Sequence, residues 1–211
     1  MSRKLKLLPE EYLIRTNEVD HADWNYRPVL RYIQRRRFKL ALSLIGEQHY
    51  DKILEIGYGS GVFMPSLAEA CNKLCGIDVH PYQNEVRSVL LKQGTDADLV
   101  SGSASQMPYA DDLFDLLVSV STFEFIDDKP SACREISRVL KRDGRFVVVT
   151  PAQSKILDFG FNLLTRENAR KDFGDGRQQT ITLLTEYFTI KQITVFPLFF
   201  GRLMPVYTAF S

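Results

Sequence analysis

Three glycines at alternate positions, Gly57, Gly59 and Gly61, stand between the apolar residues Ile53, Leu54 and Ile56 and the apolar-periodic segment Val62, Phe63, Leu67, Ala68. Glu55 precedes the first glycine by two residues. Glycine lets backbone come close to a ligand, because no Cβ intervenes. A helix begun just after such a turn directs unpaired N–H groups and a positive dipole end at the occupant. The chemistry expected there is binding of an anionic group, a phosphate or an amino-acid carboxylate, as part of a nucleotide-like cofactor. A second acid, Asp78, ends the apolar stretch 74–77, seventeen residues beyond Gly61. Its two acceptor oxygens match the two hydroxyls of a ribose. The spacing E-x-G-x-G-x-G departs from the dinucleotide fingerprint G-x-G-x-x-G, which argues against a nicotinamide-dependent dehydrogenase.

Positioning these residues requires strands that end at one edge of a sheet. The pattern predicts a strand over 51–56, a helix over 61–71, a strand over 74–78 and a helix over 81–93. A short strand follows over 98–101, and another over 115–120 that is apolar at nearly every position, as a strand covered on both faces must be. The next helix starts at Asp127 or Asp128, with Pro130 in its first turn, and is expected to stop at Gly144. Residues 146–150 form the fifth strand. Strands alternating with helices build a doubly wound α/β sheet. Ahead of this core, 27–45 reads as a helix; after it, 180–188 reads as a short helix, followed by strands over 189–196 and about 204–210. The division expected is one domain of 211 residues: an N-terminal helical cap (1–50), a core (51–151), an insertion (152–179) and a C-terminal helix and strand pair (180–211).

Composition narrows the class. The chain is 45% hydrophobic and 25% charged with net charge +1, so no global field attracts nucleic acid or an anionic membrane. The run Arg35, Arg36, Arg37 with Lys39 is read as a solvated helix face, contact with an acidic substrate or headgroup being the alternative. Three cysteines, Cys71, Cys75 and Cys133, suit a reducing compartment. A zinc site would need ligands beyond Cys71, Cys75 and His80, and no metal is expected. No run reaches the roughly 18 apolar residues of a membrane span and no signal peptide is evident. A soluble, cytoplasmic protein without stable membrane insertion is expected.

The ordered motifs resemble those of the class I S-adenosylmethionine-dependent methyltransferases, in the type 11-like branch that acts on small molecules and lipids. The resemblance runs from about Asp51 to Pro151. Its pieces are the glycine motif, Gly76-Ile77-Asp78, Gly102 to Tyr109, Phe114 to Ser119, and Arg134 to Gly144. It implies a Rossmann-like sheet of seven strands, mostly parallel, with the last strand antiparallel. It implies S-adenosyl-L-methionine as cofactor and S-adenosyl-L-homocysteine as product. By resemblance, Gly57, Tyr58, Gly59 and Gly61 wrap the methionine part and Asp78 holds the ribose. Glu55 fixes the glycine loop or meets the cofactor amino group through water. Val79 packs on the adenine, Ser103 and Ala104 meet its edge, and Val120 offers backbone to the methionine end. Relatives often carry Asp or Asn at Ser103 and a histidine at Phe125. The first change weakens base recognition by about 1 kcal/mol; the second removes a potential general base.

The implied function is methyl transfer to O, N or C of a small, apolar or lipid-like acceptor. The alternative is a protein that binds the cofactor but serves a regulatory or scaffold role. The sulfonium is already activated, so placement and exclusion of water can carry the transfer without an indispensable base. Tyr12, His21, Tyr26 and Glu124 are candidates if a base is used, and none is assigned as catalytic. Substrate selection falls to Tyr12, Trp24 and Tyr26 on one side and to Phe159, Phe161 and Phe173 in the insertion, with Arg166, Arg170, Lys171 and Arg177 available for an acidic group. No nucleic-acid partner is expected, and a homo-oligomer is left open.

Overall fold

The computed structural model describes residues 3–18, 20–28, 30–151, 183–196 and 207–210. Five strands run parallel: β1 (Tyr50–Ile56), β2 (Cys71–Asp78), β3 (Asp98–Ser101), β4 (Phe114–Val120) and β5 (Leu140–Pro151). Two short strands, β6 (Ile193–Phe196) and β7 (Tyr207–Phe210), lie beyond β5, with β7 antiparallel to both neighbours. The order is β3-β2-β1-β4-β5-β7-β6, so the winding reverses between β1 and β4. A crevice opens at such a reversal, beyond the carboxyl ends of the strands.

Successive side chains along a strand point to opposite faces, and each face has its own core. On one, Ile53, Leu116, Val118, Val147 and Val149 meet Phe38, Leu42 and Ile45 of α1 (Leu30–Ile45), Leu67 of α2 (Met64–Ala68), and Val86 and Leu90 of α3 (Gln83–Lys92). On the other, Leu54, Ile56, Phe114, Leu117, Phe146 and Val148 meet Ala132, Ile136 and Val139 of α4 (Lys129–Val139). The expected insertion, 152–179, lies outside the described residues. Residues 183–187 are helical, with Leu184 buried in the second core.

Two helices stop short of the sequence reading, each for a local reason, and the strand expected over 189–196 begins only at Ile193. α4 begins as expected, with the Asp128 carboxylate accepting from the Ser131 N–H at 3.0 Å. It stops at Val139 rather than Gly144, because Leu140 turns extended and pairs with Phe114. The β5 register then jumps to Arg145 opposite Leu116, leaving Gly144 in an irregularity where a Cβ would stand 2.8 Å from the Lys141 carbonyl. The helix expected over 61–71 is only Met64–Ala68, since β2 takes over from Cys71, paired with Tyr50. Five residues leave little macrodipole, so the glycine loop cannot draw its anion affinity from that helix.

The amino-terminal cap is held by contacts the sequence pattern did not announce. The Arg3 guanidinium donates to the carbonyls of Gly46, Glu47, Gln48 and Glu69. The Leu8 N–H donates to the Val62 carbonyl at 3.0 Å, which lays the strap along the segment after the glycines. The arginine run is not a solvated face. Arg35 lies 5.3 Å from the Tyr26 ring centre and donates to the Asn25 carbonyl, and Arg37 lies 4.6 Å from that of Phe38. Of the run with Lys39, only Lys39 is exposed. Among the described residues no helix is long and apolar enough to cross a membrane.

Candidate functional site

The β1–α2 loop turns through three left-handed glycines, Gly57 (φ 76°), Gly59 (φ 50°) and Gly61 (φ 75°). Their reasons for being glycine differ. A Cβ on Gly57 would fall inside the Thr122 side chain, and one on Gly61 would press Val86 and Leu90 at 3.1 and 3.2 Å. These two let neighbouring elements close on the loop. Gly59 is the looser one, its nearest neighbour on that side being the Asp20 carboxylate of the cap at 3.7 Å. Close approach to a ligand is therefore a role for Gly59 first.

Asp78 ends β2 beside this loop. Its Oδ2 accepts from the Gly59 N–H at 2.8 Å, whereas Oδ1 has only a 3.5 Å contact with the His80 N–H. One oxygen thus fixes the loop and the other retains acceptor capacity. Glu55, on β1, is buried, and its Oε2 has no hydrogen-bond partner among the described residues. Burial, and then the Asp78 carboxylate, push the Glu55 carboxyl well above its ordinary value, against the opposing pull of Arg37. Protonated, Glu55 can donate a hydrogen bond as well as accept one.

The other expected residues gather at the same strand ends. Val79 is 74% exposed immediately beyond Asp78, an apolar side chain held out at the crevice rim. The Gly102 N–H donates to the Asp78 carbonyl at 2.8 Å, which brings Ser103 and Ala104 alongside. Ser103 is exposed, and its Oγ already accepts from the Ser105 N–H at 3.1 Å. Val120 is buried at the end of β4, followed by Ser121 in a left-handed conformation (φ 55°). Tyr58 departs from the expected picture of a residue wrapped around a ligand. Its ring is buried against the position a Gly76 Cβ would take, and its hydroxyl has no partner among the described residues.

The loop 102–111 is pinned to α4 by Arg138. Its guanidinium donates to Glu135 at 2.7 Å, to Asp111 at 2.7 Å, and to the carbonyls of Met107 and Tyr109. Glu135 in turn accepts from the Met107 N–H at 2.6 Å. Both partners hold their charge: hydrogen bonding from Arg138 lowers the Glu135 carboxyl, and hydrogen bonding to Glu135 and Asp111 raises the Arg138 guanidinium. Two separate stretches of sequence, Gly102 to Tyr109 and Arg134 to Gly144, are thereby one structural unit.

Of the four side chains considered as bases, Tyr26 is committed: its hydroxyl donates to the Leu8 carbonyl, and burial pushes it up to about 12. Glu124 is buried under the loop after β4, beside Phe125, which is 40% exposed. Tyr12 packs against the first core. His21 stacks on Trp24 with ring centres 4.0 Å apart. That stack forms part of the wall of a cavity of about 420 Å3 in the cap, shared with Leu13, Ile14, Asp20 and Ala22. Asp20 was not foreseen. It builds the turn by accepting from Thr16 and the Ala22 N–H and connects the cavity to Gly59. The three cysteines are buried and unbridged, burial raising each thiol to about 11 or 12. Among the described residues no cluster of metal-ligating side chains occurs.

A glycine loop clasped by an acid beside the winding reversal of a parallel sheet fits a nucleotide-like cofactor, and comparison with known proteins gives the class. A family described as "Methyltransferase domain" matches residues 54–148. The putative methyltransferase YrhH of Bacillus subtilis is 30% identical over 123 residues, covering 54% of this chain and 68% of YrhH. The uncharacterized methyltransferase YcgJ of the same organism is 29% identical over 119 residues, with the chain spanning about half, 47%, of its length. The chain belongs to the class I S-adenosylmethionine-dependent methyltransferases of this type. In fold it is similar to the N-methyltransferase NodS of Bradyrhizobium japonicum bound to S-adenosyl-L-homocysteine, with TM-score 0.67, 22% identity and 93% of each chain covered.

Proposed function

We propose that this chain transfers a methyl group from S-adenosyl-L-methionine to O, N or C of a small, apolar or lipid-like acceptor. The observation that carries the reading is the Asp78–Gly59 clasp, which leaves the other carboxylate oxygen, at the end of β2, with acceptor capacity for a ligand. The donor set fits the cofactor. Asp78 Oδ1 accepts from ribose hydroxyls, and Val79 supplies an apolar surface for the base. Ser103 keeps one acceptor lone pair and its own proton for the base edge, and Ala104 stands beside it. Glu55, its carboxyl held well above its ordinary value by burial and by the Asp78 charge, lies near the end of β1. Gly57, Gly59, Gly61, Tyr58 and Val120 shape the floor. NodS, on the same fold, holds S-adenosyl-L-homocysteine.

When bound, the cofactor supplies a methyl group already activated on a sulfonium. The chain's own task is then to place the acceptor in line and keep water out. The cap is the part suited to this. Its cavity adjoins Gly59 through Asp20; Leu13, Ile14 and the His21–Trp24 stack offer apolar wall, while Glu10, Arg15, Asp23 and Arg27 also line it, which suits a ring-bearing molecule that carries a polar group as well. With Tyr26 committed to Leu8, His21 is the candidate base that lines this cavity.

The test is incubation of the full chain with cofactor carrying a radioactive methyl group and a host-cell extract, Asp78→Ala serving as the blank. Label above blank in the organic or aqueous fraction supports the reading and separates lipid-like from polar acceptors. Label in precipitated protein alone refutes the small-molecule part. Cofactor binding by calorimetry without label in any fraction favours a regulatory role instead.

A further inference from the structure

We propose that His80 is a positioning residue of this site, its buried imidazole holding Gly59 so that Asp78 can face the ligand; the proposal rests on the cofactor reading above. The ring is 4% exposed and is confined by the edge of Tyr58 at 4.9 Å and by Tyr82 at 5.9 Å. Its Nδ1 accepts from the Tyr82 N–H at 3.1 Å, so Nδ1 carries no proton. The proton of the neutral ring is then on Nε2, which stands 3.0 Å from the Gly59 carbonyl and donates to it.

Both backbone polar groups of Gly59 are consequently held by residues at and just past the end of β2. Its N–H goes to Asp78 Oδ2 and its carbonyl to His80 Nε2. A glycine at φ 50° has little intrinsic preference, so this double hold sets the orientation of the loop. The division of labour is visible in the distances. His80 Nε2 stays 3.9 Å from Asp78 Oδ2, too far for a hydrogen bond, and leaves the carboxylate to the loop and to a ligand. Through Tyr82, the residue capping α3, the same ring ties the second strand–helix connection to the first. The DVHP stretch places His80 two residues after Asp78 in sequence.

Two substitutions separate the two ring nitrogens. Glutamine carries its amide nitrogen about as far from the backbone as Nε2 and can still donate to Gly59. Asparagine places an oxygen near Nδ1, where Tyr82 needs it, and stops short of Gly59. Binding of S-adenosyl-L-homocysteine to the full chain is measured by calorimetry for wild type, H80Q, H80N and D78A, alongside ligand-free unfolding midpoints. The expectation is that H80Q binds within about threefold of wild type and H80N about tenfold more weakly, as for one lost hydrogen bond, with equal midpoints for the two. Equal affinities for H80Q and H80N, tighter binding by H80N, or losses that follow the midpoints would overturn the proposal. If D78A loses binding while both His80 variants keep it, the cofactor reading stands and the His80 role falls. If wild type does not bind, or D78A binds as well as wild type, both fall.

Discussion

Gly46 and Gly57 have the same backbone conformation, φ 76°, and opposite surroundings. Nothing lies within 4 Å of the place a Gly46 Cβ would occupy, whereas a Gly57 Cβ falls inside Thr122. Gly46→Ala therefore tests the left-handed conformation alone and should destabilise by about 1–2 kcal/mol. Gly57→Ala adds overlap with a side chain that is itself held, since Thr122 Oγ1 donates to the carbonyls of Gly57 at 3.3 Å and Val120 at 3.4 Å. Overpacking of that kind adds about 1–3 kcal/mol. Urea denaturation of the two variants should show Gly57→Ala as the more costly, by the overlap cost, at unchanged m-value. Adding Thr122→Ala to Gly57→Ala removes the overlaps with Cγ2 and Oγ1 but keeps the Thr122 Cβ at 2.5 Å, so it should recover part of the overlap cost, measured against Thr122→Ala alone. Equal costs for the two single variants, or no coupling to Thr122, would refute the assignment of Gly57 as the point where the loops after β1 and β4 close on each other.

Glu55→Gln should raise the melting temperature at pH 7 and bring little change near pH 4. The folded carboxyl is held well above its ordinary 4.5, so it stays protonated while the unfolded one ionises, and wild-type stability falls as pH rises above 4.5. A wild-type advantage that grows with pH would contradict this. Arg138→Ala should cost about 2 kcal/mol, because it leaves Glu135 and two carbonyls without their charged donor, and Arg138→Lys should recover only part, lacking the fork. Chemical denaturation checks both, and full recovery by lysine would refute the geometry. Asp78→Ala should retain the wild-type circular dichroism while losing S-adenosyl-L-homocysteine binding in calorimetry.

The parallel core was legible because its signals are local and redundant. Strands buried on both faces are apolar at nearly every position, and β4 shows this from Phe114 to Val120. Asp128 and Pro130 marked the start of α4 through capping chemistry that needs no tertiary context. Helix ends were less legible, since a strand partner decided them. Leu140 could continue a helix by propensity, but pairing with Phe114 takes it into β5. At the site, Asp78 and the glycines were readable from spacing. Asp20, His80 and Arg3 were not, because each also has a neighbour far along the chain: Asp20 approaches Gly59, 39 residues on, His80 meets the Gly59 carbonyl, 21 residues back, and Arg3 meets carbonyls 43 to 66 residues on.

Those long-range contacts change what the glycine motif does. A phosphate-binding loop can rest on the dipole of the helix behind it, but here that helix has five residues. The loop is held from the side instead. Asp78 and His80 take both polar groups of Gly59, Thr122 fills the space beside Gly57, and Val86 and Leu90 close on Gly61. A cofactor whose anionic end is a carboxylate, accompanied by a positive amino group and a sulfonium, needs no strong positive field, and too much of one would repel it. Shape set by neighbours, with the Asp78 carboxylate at the end of β2 and the buried Glu55, whose carboxyl burial pushes up, on β1, suits such a ligand better than charge does. The same arrangement explains why the cap matters. Asp20 lies 3.7 Å from where a Gly59 Cβ would stand, so the element that lines the cap cavity also approaches the glycine loop.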